Sequence, residues 1–173
     1  ISQGRQVEAQ EVLQEVLQLD PRHLGARQVL LALHVEAKHY AAAEQLLRDG
    51  LKLNLVPATY AMTLARLQVE QGDQAGALAT LEQHASQAAG NADYAGFHGA
   101  MLQRANRHGE AIPQFQNALK LRPSQANWWL GLGISLQAEK RNAEAAQAYQ
   151  RAKASNLSPE LQALVEQRLQ QVR

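Results

Sequence analysis

The sequence predicts an all-α protein built from helical hairpins. Its 173 residues include 31 alanines and 23 glutamines, which favour helices, while runs of β-branched residues are nearly absent. Aromatic residues make up only 5% of the chain, so the core must consist mainly of aliphatic side chains and alanine. The third observation is a period of 34 residues, along which small and large apolar positions repeat in phase.

Four alanines, each followed four residues later by a large apolar residue, mark this period: Ala43, Ala77, Ala111 and Ala145, then Leu47, Leu81, Phe115 and Tyr149. Each repeat contains two amphipathic stretches of about 13 residues on either side of a short polar turn. Neither helix can bury its apolar face alone. We therefore expect neighbouring hairpins to stack around a continuous core, with the small residues where helices cross.

The elements follow one another in a simple order. Residues 1–23 are interpreted as the second helix of an incomplete repeat, closed by Pro21. Four complete repeats follow, at 24–57, 58–91, 92–125 and 126–159, and residues 160–173 form a capping helix. Serine before proline is a common helix start, and a polar outer face is what the end of such an array needs. The prediction is ten helices.

Pro113 conflicts with this helical pattern. It falls about one turn into the second helix of its repeat, where proline cannot donate to the carbonyl of Gly109. The sequence predicts a slight bend or a late helix start there.

The last repeat carries the residues of a known family motif. The Trp, Leu, Gly, Ala, Phe/Tyr and Ala positions of that motif are filled by Trp129, Leu132, Gly133, Ala145, Tyr149 and Ala152, and Pro123 closes the repeat before it. The chain thus resembles the tetratricopeptide repeat (TPR) family over nearly its whole length. The resemblance implies a right-handed superhelix, an α-solenoid, of about ten helices with a C-terminal capping helix. Leu31, Gly50 and His84 depart from the motif.

Composition and charge argue against several classes of protein. A formal net charge of +1 does not suit binding to nucleic acid through phosphate neutralisation. There are no cysteines, which excludes disulfides and cysteine-based zinc sites. No stretch approaches the ~20 apolar residues of a membrane span, so we expect no membrane contact from this segment itself. The start at Ile1 suggests a fragment of a longer protein.

No catalytic, cofactor or metal site is predicted. The sequence contains no HExxH, GxSxG or P-loop motif and no GxGxxG after a strand. The run Gly131-Leu132-Gly133 lies inside a predicted helix, where close packing explains it. None of the six histidines pairs with another at i,i+4 on one helix, and we expect His98 to be buried because it takes a position usually filled by leucine. The prediction is a protein that is not an enzyme.

The candidate function is partner binding through the first helix of each repeat, which lines the concave side of such an array. The side chains expected in this groove are Gln28, Val35, Met62, Arg66, Val69, Gln103, Arg104, Asn127, Trp128, Leu130 and Ile134. Apolar spots among polar groups suit an extended or helical peptide; the alternative is ordinary solvated surface. Trp128 lies in phase with Tyr60 and Tyr94, which indicates either packing on the preceding repeat or an aromatic ladder for a ligand.

A narrower resemblance lies in several stretches, including EAKHYAAAEQLLRDGLKLN and GNADYAGFHGAMLQR. They are similar to the C-terminal repeat region of biogenesis proteins of the mannose-sensitive haemagglutinin (MSHA) type IV pilus. This implies a periplasmic domain of a bacterial inner-membrane-anchored protein, with other pilus-assembly components as partners. The alternatives are a repeat module of another envelope system, pilotin-like or for cytochrome maturation, and the recruiting domain of a larger enzyme. The ends of the array could also form a homodimer.

Overall fold

The computed structural model describes residues 3–172, and their side chains from residue 5 onward. Over this range the chain forms ten α-helices and no strand, which confirms the all-helical prediction. The helices are α1 Gln3–Leu19, α2 Leu24–Glu36, α3 Tyr40–Lys52, α4 Pro57–Glu70, α5 Gln74–His84, α6 Ala92–Arg104, α7 His108–Leu121, α8 Ala126–Ala138, α9 Asn142–Lys153 and α10 Pro159–Gln171. Among these helices none is both long enough and apolar enough to cross a membrane.

The chain forms two compact units. The N-terminal unit is Ile1–Thr80 and the C-terminal unit is Leu81–Arg173, so the boundary falls inside α5. In the N-terminal unit α1 packs on α2, α2 on α3 and α3 on α4, and in the C-terminal unit consecutive helices pack in the same way from α6 to α10. The finer division into a half-repeat, four repeats and a cap stays a prediction.

The turn between the two helices of a hairpin is the same in four places. Lys38, Gly72, Asn106 and Lys140, spaced 34 residues apart, all have positive φ, between 57° and 83°. After each of them a backbone N–H donates to the carbonyl five residues earlier, at 2.8 to 2.9 Å, as in His39 to His34 and Arg141 to Leu136. This pattern is the Schellman ending of a helix. Of these four residues only Gly72, which has no Cβ, adopts this conformation without steric cost.

Small residues let the helices approach closely. The four alanines that mark the period are fully buried. A Cβ added at Gly131 would lie 2.6 Å from Phe115, and one added at Gly133 would lie 2.5 Å from Tyr149. The glycines in this stretch therefore serve close packing, which confirms the interpretation made from the sequence.

Gly50 accommodates an aromatic ring in the N-terminal unit. It lies in α3 at a position where the family motif has alanine, and a Cβ there would lie closer than 3.0 Å to the ring of Tyr60 on α4. Tyr60 is buried. The departure from the motif at Gly50 is thus explained by the large residue that packs against it.

Pro113 lies inside α7. The helix begins at His108, so the late start offered as one possibility does not occur. Pro113 is exposed, and it lacks the N–H that would donate to the carbonyl of Gly109. The helix therefore continues through a position where one backbone hydrogen bond is lost.

Candidate partner-binding surface

The N-terminal unit holds five of the residues predicted to line the groove. On α2, Gln28 and Val35 are exposed, and on α4 Arg66 is exposed and Val69 is half-buried. Met62, also on α4, is only 8% exposed and belongs to the hydrophobic core. The surface available to a partner on these two helices therefore comes from polar and β-branched side chains rather than from methionine.

The C-terminal unit holds the other six, on α6 and α8. Arg104 and Asn127 are exposed, while Gln103, Trp128 and Ile134 are half-buried. Leu130 is only 6% exposed, so it stabilises the fold and presents little surface. Exposed members of the predicted set thus occur in each unit, mixed with residues that serve packing.

Gln103 joins α6 to α8. Its Nε2 donates to the carbonyl of Gly131 at 2.7 Å and to the hydroxyl of Ser135 at 2.8 Å. Ser135 is fully buried, so this amide satisfies a polar group inside the unit. Because both donor hydrogens already have acceptors, Gln103 can offer a partner only its side-chain oxygen.

Trp128 packs on the helix before it. Its indole lies over Gly96 of α6, where a Cβ would approach the ring closer than 3.0 Å. The guanidinium of Arg122 lies 5.4 Å from the centre of the same ring and pairs with Asp93. Such an arrangement is a cation–π contact. The indole therefore contacts both Gly96 and Arg122, although the side chain is not fully buried.

The two tyrosines in phase with Trp128 are buried. Tyr94 donates its hydroxyl hydrogen to the carbonyl of Leu81, and Tyr60 packs over Gly50. Burial raises the pKa of both hydroxyl groups. Of the two interpretations of this aromatic series, packing on the preceding helix describes both tyrosines.

Among the described residues no three histidine, aspartate or glutamate side chains are placed to hold a metal ion. His98 is only 5% exposed, as predicted, and neither ring nitrogen has a hydrogen-bond partner. Burial lowers the pKa of His98, against smaller opposing effects of Glu82 and Glu110. A buried imidazole that is neutral at neutral pH is the result.

One polar residue that sequence reasoning missed is Arg27. It is only 4% exposed and lines a cleft between α1 and α3. The signal was present in the period, since the matching positions in later repeats are Ala61, Ala95 and Trp129. The guanidinium of Arg27 donates to the carbonyls of Leu46 and Pro21, contacts that the alanines at the matching positions cannot make.

Comparison with known families agrees with this geometry. Residues 1–62 and residues 102–159 each match a model described as tetratricopeptide repeat. The chain carries tetratricopeptide repeats. TPR arrays stack helical hairpins and offer extended surfaces for binding, and they act as scaffolds for protein–protein interaction. No curated protein sequence matches this chain.

Solved TPR structures share the fold. The structure of YrrB, described as a TPR protein with an unusual peptide-binding site, is 16% identical with a TM-score of 0.73, over 95% of this chain and 84% of its own. MamA is 16% identical with a TM-score of 0.68, over 87% of this chain and 82% of its own. A mutant of MamA is 25% identical with a TM-score of 0.68, over 94% and 90%.

Proposed function

We propose that this TPR chain is a non-catalytic adaptor that binds a peptide or domain of a partner protein through the first helices of its repeats. The observation that carries the proposal is the exposed part of the predicted set, namely Gln28, Val35, Arg66, Arg104 and Asn127. These side chains lie on first helices of each unit and mix charge, amide and apolar surface. In either unit a surface of this composition suits a peptide with a few apolar anchors.

The finer proposal concerns the biological setting. Several stretches of the sequence resemble the C-terminal repeat region of MshN, a biogenesis protein of the MSHA type IV pilus. On this basis the chain acts in the periplasm as part of an inner-membrane-anchored protein and contacts other components of pilus assembly. The support is the resemblance of sequence, together with a repeat fold suited to scaffolding.

Binding to overlapping peptides tests both levels of the proposal. The peptides should cover the assembly proteins of an MSHA-type pilus and, as a second set, assembly proteins of unrelated envelope systems. We expect the chain to bind peptides of the first set, and Val35→Glu and Arg104→Glu to weaken that binding. Each variant changes one exposed side chain in one unit.

The control matched in charge to Val35→Glu is Gln147→Glu, which adds one negative charge at an exposed position of α9, a second helix. It should leave binding unchanged. Selective binding of the second peptide set would overturn the pilus assignment and keep the adaptor. If Val35→Glu and Arg104→Glu both bound the peptides as well as the wild type, the proposed surface would be overturned.

A further inference from the structure

Another face of α2 forms the floor of a cleft in the N-terminal unit. The cleft has a volume of about 600 Å³, with α1 and α3 as its walls. Leu17, Leu30 and Leu46 give it an apolar lining, and the amides of Gln14 and Gln45 lie on the two walls. An apolar cleft with a few polar groups along its rim has the general composition of a ligand site.

A buried cation lies in this cleft. The guanidinium of Arg27 donates from Nη1 to the carbonyl of Leu46 at 2.9 Å and from Nη2 to the carbonyl of Pro21 at 2.6 Å. Its Nε has no hydrogen-bond acceptor. Asp49 lines the same cleft and interacts electrostatically with Arg27, but it forms its close ion pair with Lys52 at 3.0 Å. A buried guanidinium without a carboxylate in direct contact is costly, and a ligand carboxylate would relieve that cost.

His34 adds a second unsatisfied group to the floor. It is buried, its Nδ1 has no partner, and it lines the same cleft. Burial lowers the pKa of His34, so the ring is neutral at neutral pH and can exchange a hydrogen bond with an uncharged group. Two buried groups on the floor of the cleft thus each keep one unpartnered nitrogen, Nε of Arg27 and Nδ1 of His34.

Clefts also occur at the equivalent position in the C-terminal unit, but without the cation. Two 34-residue steps after Arg27, Leu30 and His34 come Ala95, His98 and Leu102. These three line two adjoining clefts of about 400 Å³ each in the C-terminal unit. The fold thus leaves a cleft at this position with alanine in place of arginine. What distinguishes the first cleft is the chemistry of Arg27.

We propose that the cleft between α1 and α3 binds an extended peptide segment that presents the side-chain carboxylate of an Asp or Glu to Arg27. Apolar side chains on either side of that residue fill the leucine-lined space, and the wall glutamines bind the peptide backbone. This goes beyond the proposed function because it assigns a second binding site, on a face of α2 other than that of Gln28 and Val35.

The test is affinity selection from a degenerate peptide library capped at both ends, so that carboxylates come from side chains alone. We expect the wild-type chain to enrich peptides with Asp or Glu between large aliphatic residues. Fluorescence anisotropy with a selected peptide should then show about tenfold weaker binding for Arg27→Gln, the loss expected for a charge-assisted hydrogen bond.

A second variant separates recognition from folding. Arg27 also supports two backbone carbonyls, whereas Gln14 is an exposed wall residue, so Gln14→Glu adds only a repelling charge and should weaken binding too. Gln116→Glu, at an exposed position of α7, and Val35→Glu should not change the affinity for this peptide. An unbiased selection, or acidic peptides that bind Arg27→Gln and Gln14→Glu as well as the wild type, would overturn the proposal while leaving the first-helix surface untouched.

Discussion

The indole of Trp128 on α8 covers Gly96 on α6, with no room for a side chain between them. Glycine inside a helix ordinarily costs about 1 kcal/mol relative to alanine. At this position the ring reverses the preference, because a Cβ would have to displace an indole that also contacts Arg122.

We expect Gly96→Ala to lower the free energy of unfolding by about 1–2 kcal/mol through overpacking. In the double variant with Trp128→Leu the penalty should largely disappear, and urea titration of the four proteins of the cycle measures the coupling. Gly109→Ala is the control, since its Cβ would make only ordinary contact with Glu139 at 3.7 Å. If Gly96→Ala stabilised the protein, the described packing of Trp128 would be wrong.

Substitutions at two equivalent positions of the left-handed turns should change the free energy of unfolding in opposite directions. Lys140 has φ of 59° and an exposed side chain, and Gly72 has φ of 83°. Lys140→Gly should raise the free energy of unfolding by about 0.5–1 kcal/mol because glycine adopts this conformation without strain. Gly72→Ala should lower it by about as much. Thermal unfolding followed by circular dichroism would show the two shifts, and equal signs would contradict the shared turn geometry.

Because His98 is buried, we expect the folded protein to lose stability on mild acidification. Its pKa is lowered in the fold by burial, so the unfolded chain takes up the proton first as the pH falls below the ordinary value of 6.5. Stability from this group is therefore complete above that pH and is lost progressively below it, until the lower folded pKa is reached. The ring lies edge-on to that of Tyr94. Its protonation is also influenced by the charges of Glu82, Glu110 and Arg107.

The variant that checks this is His98→Leu, since leucine fills the matching position at Leu30, Leu64 and Leu132. We expect it to raise the free energy of unfolding at pH 7 by about 1–3 kcal/mol, because two unsatisfied nitrogens are removed. The decline in stability between pH 7 and pH 5 should become shallower. An unchanged slope in His98→Leu would argue against a buried neutral ring.

Replacement of Pro113 should stabilise α7. Pro113→Ala restores an N–H that donates to the carbonyl of Gly109. This hydrogen bond should stabilise the helix by more than the unfolded chain gains in conformational entropy when alanine replaces proline. We expect an increase of about 1–2 kcal/mol in denaturant unfolding. A decrease would mean that Pro113 has a packing role. Gln116→Ala, at an exposed position of the same helix, serves as reference for the effect of alanine alone.

Exposed apolar side chains on α1 predict self-association. Val12 is exposed and Leu19 is 89% exposed, which is unusual for large apolar residues on one helix. We expect the chain to form a homodimer or weak oligomer through this end at high concentration, and Val12→Glu with Leu19→Glu to abolish it. Sedimentation velocity across a concentration series measures the effect. A monomer at every concentration in the wild type would reject this prediction.

The sequence predicted the fold well because the signals were periodic. The buried alanines, the large residues after them and the hairpin turns all recur at the same spacing. A departure from the motif at one position therefore does not hide the period. The burial of His98 followed from the leucines at matching positions. The start of α7 was less predictable, since proline can either end a helix or lie within it at the cost of one hydrogen bond.

The candidate surface was harder to predict because a position on a helix wheel does not reveal which neighbours cover it. Met62 and Leu130 share helices with exposed residues, yet adjacent helices bury them. Gln103 was assigned to the surface, but Ser135 and Gly131 take its donors. Arg27 was hard to predict because an arginine on a helix ordinarily indicates exposed surface, and only the alanines at the matching positions, Ala61 and Ala95, indicate burial.

The fit between Gly50 and Tyr60 limits how such arrays can be recombined. The two residues fall on opposite sides of the boundary predicted between adjacent repeats, at residue 57. Any chimaera that joins a foreign repeat at this junction inherits one partner without the other. A donor repeat with alanine at the position of Gly50 would place a Cβ too close to the ring of Tyr60. A residue smaller than Tyr60 would leave a void beside Gly50. Grafting of repeats into or out of this protein should therefore transfer the two positions together.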